Sequence, residues 1–185
     1  KSKKNIVDPE NIISNYGADS VRWFILSDSP PSKDVQWSNE GIEAAYKFMQ
    51  KINDLSMRII NRKKHDEHSN DLNLKRFVNK MIFTITRNLE NFQYNVVIAN
   101  FHEIYNVLDK YAADENISSK NLQIYFQKVL IMLIPFVPHI AYECLTKMDS
   151  KISIKELNWP KYDSNSIVDD ECTIVVQVNG KKRGI

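Results

Sequence analysis

Glycine is scarce in this chain of 185 residues, occurring only at Gly17, Gly41, Gly180 and Gly184. Neither a Walker-type nor a dinucleotide-type phosphate loop can be assembled from glycines so far apart. A nucleotide pocket would have to rest mainly on other polypeptide. Cysteine is scarcer still. Cys144 and Cys172 form no C-x-x-C pair and are too few for a disulfide framework, so reduced thiols in a cytoplasmic protein are expected. Long apolar runs are also missing: the longest, Val129–Phe136, is far short of the ~20 residues that span a bilayer, so no membrane insertion is expected. Lys1 stands where an initiating Met would, and no basic-then-apolar leader follows it, so the chain reads as a piece of a longer, non-secreted protein. No metal site is expected either. His65 and His68 flank Asp66-Glu67 in a polar link without further Cys or His, which reads as solvated loop. No nucleophile-elbow serine and no carboxylate pair suited to acid–base work stands out.

What is present is an ordinary globular composition, 43% hydrophobic and 26% charged, which at this size can bury a core unaided. The formal net charge of +2 conceals three basic clusters: Lys1-Ser2-Lys3-Lys4; Arg58, Arg62, Lys63 and Lys64; and Lys181-Lys182-Arg183. Clusters at separated places fit a polyanionic partner. The second also fits the end of a long helix, whose dipole favours cations there.

Hydrophobic spacing predicts a mainly α chain, an antiparallel helix bundle with a short C-terminal β-hairpin. Asp8-Pro9 starts a helix as N-cap and first residue. Ile12, Ile13 and Tyr16 form its apolar face, and Gly17 is its expected left-handed C-cap. A second helix is expected over Ala18–Ser27, with Val21, Trp23, Phe24 and Ile25 buried, and Ser29-Pro30-Pro31-Ser32 breaks it. Longer amphipathic helices follow over Ser38–Lys64, Leu72–Phe92, Asn95–Ala112 and Ser118–Ile134, then a short one over Pro138–Lys147. Val129–Ile134 is apolar all round and belongs in the centre of the bundle. Asp149–Glu171 reads as an extended connector. Thr173–Val178 is β-branched and leads into Asn179-Gly180, a hairpin turn signal.

Several segments resemble the class I aminoacyl-tRNA synthetases. Lys1-Ser2, with Lys3-Lys4-Asn5 and Asp8-Pro9 behind, resembles the last two positions of that family's K-M-S-K-S loop. Tyr16-Gly17-Ala18-Asp19-Ser20-Val21-Arg22 resembles its Y-G-A-D-(S/T)-x-R segment. Ser29-Pro30-Pro31, Asp34, Trp37-Ser38 and Gly41-Ile42-Glu43 resemble the leucyl branch in particular. Phe136-Val137-Pro138-His139-Ile140-Ala141-Tyr142-Glu143 resembles the P-H-x-x-E stretch late in the helical domain, and Trp159-Pro160 its exit. Val175–Gly184 resembles the entry to the leucyl branch's small C-terminal domain.

The resemblance implies the anticodon-binding-domain type of bundle and a division of the chain into four parts. Residues 1–37 would be the signature-loop end and a helical stem, 38–148 the tRNA-docking bundle, 149–171 the connector, and 172–185 the start of a C-terminal α/β domain. It implies a monomeric protein that ligates leucine to leucine tRNA with ATP and Mg2+. Lys1 would be catalytic, Lys1 and Ser2 would bind ATP, and the chain alone would be inert. Arg58, Arg62, Lys63, Lys64, Lys181, Lys182 and Arg183 would be the tRNA contacts. A synthetase of the isoleucyl, valyl or methionyl group, or a non-enzymatic helical RNA-binding module, are the rival readings. Trp37, Gly41 and the Asn179-Gly180 turn argue against the first; residues preceding Lys1 would decide the second.

Overall fold

The Asp8 carboxylate accepts a hydrogen bond from the Glu10 N–H (3.0 Å), and with Pro9 in the first turn it starts α1 (Pro9–Tyr16). The structure, a computed structural model, describes residues 7–63, 71–167, 176–178 and 181–184. For the last two stretches it describes the backbone alone. Among the described residues there follow α2 (Ala18–Asp28), α3 (Asn39–Ile60), α4 (Leu72–Glu90), α5 (Tyr94–Ala113), α6 (Ser119–Leu133) and α7 (Pro138–Met148). Single 3-10 turns lie at Ile154–Glu156 and Ser164–Ser166. β1 (Val176–Val178) and β2 (Lys181–Gly184) pair antiparallel, Val178 opposite Lys181. The expected Asn179-Gly180 turn lies outside the described residues, as does His65–Asn70 of the link before α4.

The chain is mainly helical, as the spacing predicts, and most boundaries fall within two residues of the expected ones. The exception is α3. It stops at Ile60, four residues before the expected Lys64, because Arg62 turns away to bond another helix. Gly17 ends α1 and its N–H bonds the Ile13 carbonyl (2.8 Å). Its φ of 78° and ψ of 153° are not the expected left-handed helical cap. They belong to an extended positive-φ region open essentially to glycine alone, which lets α2 begin one residue later.

Burial in the two short helices also differs from expectation. α1 has no fully buried side chain, and Ile13 stays 43% exposed. In α2 the buried side is Asp19, Ser20, Trp23 and Phe24, while Ile25 is 48% exposed. The reason is tertiary: α2 packs against α3, α5 and α7, and the last of these needs a carboxylate rather than an isoleucine.

The core sits where α3, α5 and α6 meet α2 and α7. Trp23 stacks on Phe48 (centroids 4.9 Å), and Phe101 lies edge-on to Phe136 (5.5 Å). Val129, Leu130, Met132 and Leu133 are buried there as expected, and burial pushes the Cys144 thiol up. α4 and α5, joined by three residues, pack as an αα-hairpin. Phe92 at its tip is 66% exposed and has a positive φ of 56°.

The connector after α7 is not merely extended: residues 159–166 lie along α4 as a strap. Trp159 Nε1 donates to Thr86 Oγ1 (2.8 Å), the Asp163 N–H to Asn79 Oδ1 (2.7 Å), and Lys75 Nζ meets Asp163 Oδ2 (3.2 Å). Among the described residues no helix is long and apolar enough to cross a membrane.

Candidate nucleic-acid interface

Of the expected contact residues near the end of α3, Arg58 and Arg62 are held by the protein itself. Arg58 pairs with Asp109 of α5. Arg62 donates to three backbone oxygens: Tyr111 (2.8 Å), Ile117 (3.0 Å) and Asp114. A helix leaves its last carbonyls without partners. Arg62 therefore closes the end of α5, not the dipole of its own helix. Next to it, the Lys63 carbonyl accepts from Ser119 Oγ (2.8 Å), which fixes α6 to the same corner, while the Lys63 side chain is exposed. Lys1, Ser2 and Lys64 lie outside the described residues. For Lys181, Lys182 and Arg183 only the strand backbone is described.

Two of the segments that carry the family resemblance meet in space. Asp19 of the Y-G-A-D stretch is 7% exposed. Its carboxylate accepts from the Ile140 N–H (2.8 Å), faces His139 Nδ1 (2.9 Å) and pairs with Arg22 Nη1 (2.9 Å). Val137, the N-cap of α7, provides no side-chain acceptor. Asp19 thus caps α7 from 121 residues away, an anion placed at a helix N-terminus. His139 remains solvent-facing, with 70% of its side chain exposed.

A second joint starts α3. Ser38 Oγ accepts from the Gly41 N–H (3.0 Å) and donates to Glu40 Oε2 (3.0 Å). The helix-end N–H and the hydroxyl hold the Glu40 carboxyl below its usual range. Gly41 leaves room for the Phe24 ring, and Trp37 meets that ring edge-on at 5.2 Å. These motif residues thus set the angle between the α1–α2 stem and the bundle.

One basic surface escaped the sequence reading. Arg76, Lys80 and Arg87 of α4 are spread too thinly along the chain to look like a cluster. Their spacing at four and seven residues, with Phe83 between, was the signal that could have found them. Among the described residues no three His, Cys, Asp or Glu side chains gather as a metal set.

Residues 71–185 match the family described as the anticodon-binding domain of tRNA ligase, and residues 1–38 that of class I tRNA synthetases (I, L, M and V). The chain is 41% identical over 195 residues to leucine–tRNA ligase of Bartonella quintana (strain Toulouse), covering 100% of this chain and 22% of that protein. It is 38% identical over 183 residues to leucine–tRNA ligase of Cereibacter sphaeroides (strain ATCC 17025), covering 99% of this chain and 20% of that one. It thus spans about one fifth of the length of these curated relatives. Among solved structures it is similar to the leucyl enzyme in the ternary complex of Agrobacterium radiobacter K84 agnB2 LeuRS, tRNA and LeuAMS. The TM-score is 0.83 at 23% identity, covering 100% of this chain and 24% of that one. At that identity the likeness shows the fold.

Proposed function

The chain belongs to the family of anticodon-binding domains of tRNA ligases, and from that premise we propose that it is the helical tRNA-docking part of a leucine–tRNA ligase. The observation that carries the proposal is the alignment of all of the chain with leucine–tRNA ligases at about 40% identity. The solved relative was captured with tRNA and LeuAMS, which suits the same partner here. The intact protein would be a cytoplasmic monomer that uses ATP with Mg2+ to activate leucine and transfers it to leucine tRNA.

In this proposal residues 1–37 form the signature-loop end and stem, 38–148 the docking bundle, 149–171 the connector, and 172–185 open a small α/β domain by a hairpin. Lys1 and Ser2 close over ATP. Attack of the leucine carboxylate on the α-phosphate loads negative charge onto the departing pyrophosphate. A lysine that meets this charge as it develops lowers the barrier instead of merely tightening substrate binding. At ~4 Å and an effective dielectric near 20, the contact is worth up to ~4 kcal/mol before desolvation, or roughly 10³-fold in rate. Lys63, Lys64, Lys181, Lys182 and Arg183 serve as phosphate contacts. Arg58 and Arg62 fit that role less well, since both already hold α5.

In the full-length ligase, Lys1→Ala should slow leucine-dependent pyrophosphate exchange by about 10³-fold while leaving leucine binding nearly unchanged. Exchange unaffected by the substitution would reject the Lys1 assignment. Absence of leucine-dependent exchange from the unaltered protein would reject the whole reading.

A further inference from the structure

We propose that the outward face of α4, with the strap beside it, is a docking face for the phosphate backbone of RNA; this deepens, and rests on, the tRNA-docking reading above. α4 carries Lys75, Arg76, Lys80 and Arg87 against one acidic residue, Glu90. The other long helices have less excess. α3 balances Lys47, Lys51 and Arg58 against Glu40, Glu43 and Asp54, and α5 is net acidic. Arg76, Lys80, Phe83 and Arg87 recur at four, three and four residues, which places them within roughly a 60° arc of the helix. That arc lies opposite the buried side formed by Leu74, Val78, Met81, Ile82 and Ile85. From Arg76 to Arg87 the row runs about 16 Å along the axis, long enough to follow several consecutive phosphates of one strand.

A plain solvated face would account for the cations but not for the rings among them. Phe83 stays 36% and Tyr162 42% exposed, and the two meet edge to face with centroids 5.3 Å apart. Lys161 adjoins Tyr162 on the strap. Cations interleaved with exposed rings suit a polyanion that also offers flat bases. A protein partner is disfavoured by the like charge of the row, because removing cations of one sign from water at the centre of an interface is costly. The hydrogen bonds from the strap to Asn79 and Thr86 hold Tyr162 beside the stripe and make the face a rigid one.

The test is a salt titration of leucine-tRNA transcript binding by the full-length ligase, wild type against Arg76→Gln/Lys80→Gln/Arg87→Gln. Each lost phosphate contact should lower the slope of log K against log salt by ~0.7–0.9, so the triple variant should lose about 2 and bind at least about tenfold more weakly near 0.1 M salt. Arg76 and Lys80 also have partners within the protein, so the single Arg87→Gln variant is measured alongside and should lose just under one unit of slope. Wild-type slopes in both variants, with tRNA still bound, would overturn the α4 assignment and leave the tRNA-docking reading standing. Failure of the unaltered protein to bind tRNA would overturn both. Loss of thermal stability in the triple variant with an unaltered slope for Arg87→Gln would assign the face to a protein segment and also overturn the proposal.

Discussion

The Cβ that alanine would add at position 41 falls 2.5 Å from Phe24 Cε2 and 2.9 Å from Cδ2. That ring is 3% exposed and held edge-on by Trp37, so it cannot simply swing aside. Gly41→Ala should therefore cost about 1–3 kcal/mol, the usual penalty of overpacking, despite alanine's better helix propensity. Urea denaturation measures it, and a neutral or stabilising result would show that the α2–α3 joint has slack. Gly17 is constrained differently: nothing crowds it, but its φ of 78° is a conformation that other residues resist. In the sequence Gly17 reads as a helix end and Gly41 only as part of a motif. Only the ring packed against one and the dihedral angles of the other give the physical reason.

Between elements, the joint that matters most is Asp19 with α7. Asp19→Ala leaves the half-buried Ile140 N–H without its acceptor and should destabilise the protein by about 1–2 kcal/mol. Asp19→Asn keeps an acceptor but gives up the charge at the helix N-terminus, so its loss should be smaller. Faster amide exchange at Ile140, ahead of α4 and α5, is the accompanying sign. Equal stability of the alanine variant and the wild type would dissolve the joint. The two partners were singled out in the sequence as separate motifs, Asp19 in one and His139-Ile140 in the other. Nothing local to either predicted that they touch. Arg62 teaches the same lesson: expected to face phosphate or its own helix dipole, it binds the carbonyl end of α5.

Across the whole molecule, the strap couples α4 to the chain beyond α7, and beside its two hydrogen bonds to Thr86 and Asn79 one exposed carboxylate contributes to its hold. The Ser166 hydroxyl, Lys75 ammonium and Asn165 N–H hold the Asp163 carboxyl below its ordinary value. A carboxyl whose pKa is lower folded than unfolded stabilises the fold above the unfolded value, and that contribution is lost as pH falls through the folded one. Acid below the ordinary carboxylate range should therefore loosen the strap before the core. Amide exchange at Asp163 and Ser166 should accelerate while that of α5 does not, and Asp163→Asn should remove this pH dependence. Release of strap and core together would show that the strap has no separate stability.

The sequence by itself determined the helices, their caps and most of the core, because these depend on neighbours within about one helical turn. Ser38, Asp8 and Pro138 start helices where their chemistry dictates, and period alone places Ile42, Ile52, Val78 and Leu108 inside. The tertiary structure decided which element each face meets, and which side of each helix turns outward. Asp19 is buried and Ile25 exposed because α7 lies over α2. Arg62 is engaged because α5 ends beside it, and the α4 cations form one surface because the core lies on the opposite side. Periodicity fixes which side of a helix is apolar. Long-range contacts alone decide what covers it and which polar groups must be satisfied there.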